Sequence, residues 1–127
     1  TPLLAEHQPA LWIASPVLKV VDGGLPYLQP LQPLIGAWNP NRKNAYYLYG
    51  GRWPAQPVSP AGLDYDELYG RSANQERLIG GEGIQLTSND WVFLRPAISE
   101  GVLGDFSEIR LLRRGQLVGR WSTISDA

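Results

Sequence analysis

Apolar residues along this chain fall in short runs bounded by glycine, proline, asparagine and aspartate, the pattern of strands between turns. No stretch holds a 3.6-residue period over about ten residues or more, so no long amphipathic helix is predicted. The organising stretch runs from Trp91 to Trp121. Trp91-Val92-Phe93-Leu94 predicts a strand that breaks at Arg95-Pro96. There proline removes a backbone donor and biases Arg95 towards extended geometry. Ser99 and Glu100 follow as a polar pair at a sheet edge. Glu108–Arg113 and Gln116–Trp121, joined through Arg114-Gly115, then predict a hairpin that closes the sheet, with Gly115 supplying positive φ.

Upstream, Thr1–Pro9 reads as an arm or linker, and residues 10–127 as one β-domain. Leu11–Ser15 and Val17–Val21 are β-rich, with Pro16 marking a bulge or edge between them. Asp22-Gly23-Gly24 is a turn. Prolines 26, 30, 33 and 40 exclude a regular helix from Leu25 to Asn44. This predicts either a loop that buries Leu31, Leu34 and Ile35 or a lid. Ala45–Tyr49 predicts a strand with Tyr46 and Leu48 on one face, Tyr47 and Tyr49 on the other, ending in a flexible Gly50-Gly51 pair. Arg52–Gly62 reads as a Pro-rich loop, and Asp64–Tyr69 as one helical turn or an irregular strand. Gly80-Gly-Glu-Gly and Ser88-Asn89-Asp90 are turns. The expected fold is all-β, a small barrel or sandwich with long Pro-rich loops.

Length changes the picture little, because 127 residues make one domain with a modest core. Apolar residues at 43% and charged ones at 18% are those of a globular chain. Eleven basic and twelve acidic residues leave a formal charge of -1, which argues against nucleic-acid and membrane-surface partners. No cysteine is present, so there is no disulfide framework or thiolate chemistry, and a cytoplasmic location is expected. No apolar run reaches the roughly 20 residues of a membrane-spanning helix. Methionine is absent even at position 1, and the chain is expected to be part of a longer product.

Candidate chemistry is sparse. The only histidine, His7, lies in the arm, so neither a His-based zinc site nor a Ser-His-Asp triad is expected. Asp64, Asp66, Glu67, Glu76 and Glu100 could pair as hydrolytic carboxylates, but solvated carboxylates are the expectation. The densest polar cluster is Arg71, Ser72, Asn74, Gln75 and Glu76. It is either a set of turn and capping bonds or an anion clamp with Arg71 as the fork. Arg95, Ser99 and Glu100 are likewise either a strand-ending salt bridge or a site-lining edge.

Four segments occur in order: Asp22-Gly-Gly, Gly70-Arg-Ser-x-Asn-Gln-Glu-x-Leu, Asn89-Asp-Trp-Val-Phe-Leu-Arg-Pro-x-x-Ser-Glu and Arg114-Gly-Gln-Leu-Val-Gly-Arg-Trp. Together they resemble the C-terminal domain of the D-threonine aldolase and D-serine dehydratase-like family, fold-type III enzymes related to alanine racemase. The resemblance extends from Pro9 to Trp121. It implies a β-domain that caps a pyridoxal phosphate site carried by an N-terminal (β/α)₈ barrel, within a homodimeric amino acid aldolase, racemase or dehydratase. This chain alone would then be inactive. Lys19 and Lys43, its only lysines, offer no Schiff-base residue. Glu100 would be the catalytic contributor, with Arg71, Ser72, Asn74, Gln75, Arg95 and Ser99 near substrate or cofactor. The family's metal-binding histidine after the strand proline is replaced by Ile98, with Glu100 at the second ligand position. An aliphatic side chain cannot ligate, so no metal is expected and a divergent subgroup is implied. The alternative is a standalone β-barrel binding module presenting Trp38, Tyr46, Tyr47, Tyr49 and Trp53.

Overall fold

The structure is a computed structural model and describes residues 8–23 and 40–123. His7, Gly24 and the Pro-rich segment with Leu31, Leu34, Ile35 and Trp38 lie outside the described residues. Eight strands follow in chain order: β1 (Ile13–Asp22), β2 (Asn44–Leu48), β3 (Ala55–Ser59), β4 (Asp64–Tyr65), β5 (Arg77–Gly80), β6 (Trp91–Pro96), β7 (Glu108–Arg113) and β8 (Gln116–Ser122). Among the described residues, one short helix, α1 (Ser99–Leu103), and a 3₁₀ turn at Pro40–Arg42 complete the elements.

The first six strands form one antiparallel sheet in the order β3-β6-β1-β2-β5-β4. It curls into a nearly closed barrel. The Tyr65 hydroxyl on β4 donates to the Ala55 carbonyl on β3, tying the two outermost strands together. The all-β expectation holds, and of its two forms, barrel or sandwich, the structure takes the barrel.

β1 makes the curl possible by serving two neighbours in turn. Its first half pairs with β6, Ile13 opposite Leu94 and Pro16 opposite Trp91. Its second half pairs with β2, from Val17 opposite Leu48 to Asp22 opposite Asn44. Pro16 therefore interrupts nothing: two expected strands are one, and the proline sits where pairing passes from β6 to β2. The irregularity between Val17 and Lys19 supplies the bend there.

Alternation fills the interior. Tyr46, Leu48, Val17, Leu78, Val92 and Leu94 point inward and are fully buried, while Trp91, Phe93 and Tyr49 point out. The buried Tyr46 hydroxyl donates to the Ile84 carbonyl at 2.8 Å, which resolves the polar end of an otherwise apolar side chain.

Three expectations are corrected. Residues 52–62 are not all loop, because Ala55–Ser59 forms β3. Its Pro57 is tolerated because β3 pairs with β6 alone, beside a register irregularity between Pro57 and Ser59. The strand from Trp91 does not break at Arg95-Pro96: Arg95 pairs with Gln56 and Pro96 with Ala55. Lastly, the C-terminal hairpin does not close the barrel sheet. β7 and β8 pair only with each other, around a two-residue turn in which Arg114 and Gly115 both have positive φ (50 and 78°).

Candidate functional site

The Gly50-Gly51 pair at the end of β2 is the pivot of the site. Gly50 has φ +83°, and a Cβ there would lie 2.4 Å from the Trp53 ring. A Cβ on Gly51 would meet the Ser72 carbonyl oxygen at 2.0 Å. The pair is thus a passage too narrow for a side chain, rather than a flexible end. Beside it, Gly50 N–H donates to Asn74 O at 3.0 Å and Glu76 N–H to Gly50 O at 2.8 Å. These bonds draw residues 72–76 against β2.

Glu76 holds the polar cluster together. Its carboxylate is buried and accepts from Arg52 N at 2.8 Å, Arg71 Nε at 3.0 Å and Ser72 N at 3.3 Å. Arg71 also donates through Nη2 to Trp53 O at 3.0 Å and lies 3.8 Å above the Tyr65 ring. The Arg71 fork is therefore committed within the domain, and turn and capping bonds account for Arg71, Ser72 and Glu76. Asn74 and Gln75 carry exposed side chains on the same loop.

Arg95, Ser99 and Glu100 are a separate, exposed group. Ser99 and Glu100 form the first turn of α1, not a sheet edge, and Val102 in the second turn is buried. The two groups meet only through Trp53-Pro54. Arg71 holds the Trp53 carbonyl, while Ala97 N–H donates to Pro54 O at 2.7 Å. The Trp53 ring then packs against Phe106 beyond α1, with centroids 5.6 Å apart. Between these elements lies a groove of about 400 Å³, bounded by Gly50-Gly51, Trp53, Ala73, Asp105 and Phe106, with Tyr49 and Ser15 opposite. Of the residues singled out from sequence, Tyr49 and Trp53 line it, whereas Arg71, Ser72, Asn74, Gln75, Arg95, Ser99 and Glu100 do not. Asp105 and Phe106 carry no local motif, so only the tertiary packing on Trp53 reveals their place.

Two carboxylates expected in solvent are buried. Besides Glu76, Asp66 lies between two buried arginines. Arg42 reaches it through both terminal nitrogens, Nη2 at 3.0 Å, and Arg77 Nε lies 2.9 Å from Oδ2. The Tyr69 backbone N–H adds a bond at 3.1 Å, and Arg42 Nη2 also donates to Gly23 O at 2.9 Å. This network fastens the 3₁₀ turn, the β4–β5 connection and β5 to one anchor. It is a structural lock, and Arg77 extends it to the Tyr47 hydroxyl at 3.0 Å.

The lysines do not suit cofactor attachment. Lys19 Nζ lies 4.5 Å above the Tyr47 ring on the sheet exterior, and Lys43 pairs with Glu82 at 3.7 Å, both largely exposed. Among the described residues no group of three or more His, Cys, Asp or Glu side chains could hold a metal ion. No described helix is long and apolar enough to cross a membrane. No family model, curated protein or solved structure matches the chain.

Proposed function

We propose that this chain is a capping β-domain of a pyridoxal phosphate enzyme acting on amino acids, docked against an N-terminal (β/α)₈ barrel that carries the cofactor. The observation that supports it is an uncovered apolar strip on the outer barrel face. Register places Phe93 beside Ala14 and Trp91 beside Pro16 on that face. Trp91 is 54% exposed and Phe93 40%. Contiguous exposed aromatics of this kind mark contact surfaces rather than free ones.

The strip leads directly along β6 to Arg95, Ser99 and Glu100. That group keeps its polar atoms outward and is the one available to a neighbouring active site. Arg95 would pair with a substrate carboxylate. Glu100 would serve as the acid–base or polar contributor, within hydrogen-bond reach of the reacting group once docked. Arg71, Ser72, Asn74 and Gln75 would shape the adjoining wall, with Arg71 acting through the Trp53 carbonyl that it holds. The cofactor supplies the electron sink for carbanion formation at the amino acid α-carbon. No lysine here fits it, so its attachment belongs to the barrel, and the isolated chain is inactive. A homodimer of the parent and a cytoplasmic location go with this reading.

A binding module remains the second reading, favoured by the groove with Tyr49, Trp53 and Phe106 along its walls. One preparation separates the two. The longer gene product containing this segment, purified, should show the visible absorbance of bound pyridoxal phosphate. Amide exchange over residues 91–96 should also be slower there than in the isolated 127-residue chain. No cofactor band together with equal exchange would remove the capping role and leave the module.

A further inference from the structure

We propose that Tyr47 is a nucleophilic phenol, a site at which this chain accepts an acyl group from an activated acyl donor. It lies on the β1–β2–β5 exterior, apart from the Trp91–Phe93 strip, and does not depend on the capping role. Pairing sets Lys19, Tyr47 and Arg77 side by side across three strands. Arg77 Nη1 donates to the Tyr47 hydroxyl oxygen at 3.0 Å, and Lys19 Nζ lies 4.5 Å over the ring. Tyr69 packs edge-on at 6.2 Å, and its own ring carries the Arg77 guanidinium at 4.7 Å.

Arg77 cannot swing away, because Asp66 fixes it from behind. The phenol oxygen therefore faces a positioned cation, which favours the phenolate over the phenol. Burial pushes Tyr47 upward, but hydrogen bonds with Tyr69 and Arg77 and the charges of Arg77 and Lys19 outweigh it. Its pKa falls below the ordinary phenol value. The charged and titratable groups around it are Lys19 from β1, Arg77 from β5 with its partner Asp66, and Tyr69 from the connection between β4 and β5. A lowered pKa raises the reactive fraction near neutral pH, the usual route by which a protein activates a weak nucleophile.

In the step, the Tyr47 oxygen attacks the acyl carbon and forms an aryl ester. The bond from acyl carbon to the leaving group breaks, and that group departs with the electron pair. The phenolic proton has already gone to solvent. No oxidant or reductant is required.

The test is limited labelling of the full 127-residue chain with N-acetylimidazole at neutral pH, mapped by peptide mass spectrometry. Imidazole is the group released. Hydroxylamine removes tyrosine esters and spares lysine amides, which identifies the product. Tyr47 should react ahead of Tyr49, although Tyr49 is 68% exposed. Lys19→Gln and Tyr69→Phe leave the Asp66 anchor intact. Each should slow labelling at Tyr47 by roughly threefold or more, with Tyr49 unaffected. Labelling of Tyr49 first would overturn the proposal. So would unchanged Tyr47 rates in both variants.

Discussion

Asp66 carries one negative charge between two buried guanidinium groups, and its surroundings explain why that arrangement persists. Both oxygens are occupied, by Arg42, by Arg77 and by the Tyr69 amide. Removing one member of such a buried set strands the others without compensation, which typically costs about 3–5 kcal/mol. Asp66→Asn should therefore lower the unfolding free energy by about that amount. A urea melt of the purified variant measures it. A loss below about 1 kcal/mol would mean that water, rather than Asp66, compensates the arginines. Nothing in the local sequence distinguishes Asp66 from its neighbours Asp64 and Glu67, both of which lie in solvent. Burial of the aspartate depends on two arginines 24 and 11 residues away in sequence, brought to it by the 3₁₀ turn and β5.

At the scale of elements, the β7–β8 hairpin stands apart. Glu108 pairs with Arg110 and Arg120 along one side, and Leu112, Leu117, Val118 and Trp121 remain exposed. Thr123 ties its base to residues 106 and 107 through the Phe106 and Ser107 carbonyls. A hairpin with so little packing contributes little to the barrel's stability. Trp121→Ser should change the stability of the isolated chain by less than about 0.5 kcal/mol, as exposed substitutions do. A denaturant melt that moved by more than about 2 kcal/mol would show that the barrel depends on this arm. The turn chemistry of the hairpin was legible from Arg114-Gly115, since two-residue hairpin turns of this kind need positive φ at both positions. Its separation from the barrel was not, because alternation defines a strand's faces but not its neighbours.

The whole molecule combines a filled barrel with an incomplete exterior. Trp12, Trp91 and Phe93 leave the β6–β1 side apolar, and such a surface drives association when no partner covers it. The isolated chain should therefore self-associate with rising concentration. Trp91→Ser with Phe93→Ser, both outward-facing, should shift it towards monomer without unfolding it. Sedimentation velocity over a concentration series follows the change. A wild-type chain that stays monomeric throughout would place the contact surface elsewhere.

By itself the sequence determined the strand class and the division of β2 into two faces, because a period of two translates directly into two sides of a sheet. It also determined the absence of thiol chemistry and the turn at Arg114-Gly115. Only the tertiary structure decided that Pro16 and Pro96 lie within strands. A proline forfeits one donor, and whether that matters depends on which neighbour lies on that side. The same holds for the polar residues. Arg71 and Arg95 look alike along the chain, yet Glu76 and the Trp53 carbonyl occupy one and leave the other exposed. That difference arises from contacts between distant segments, which no local pattern encodes.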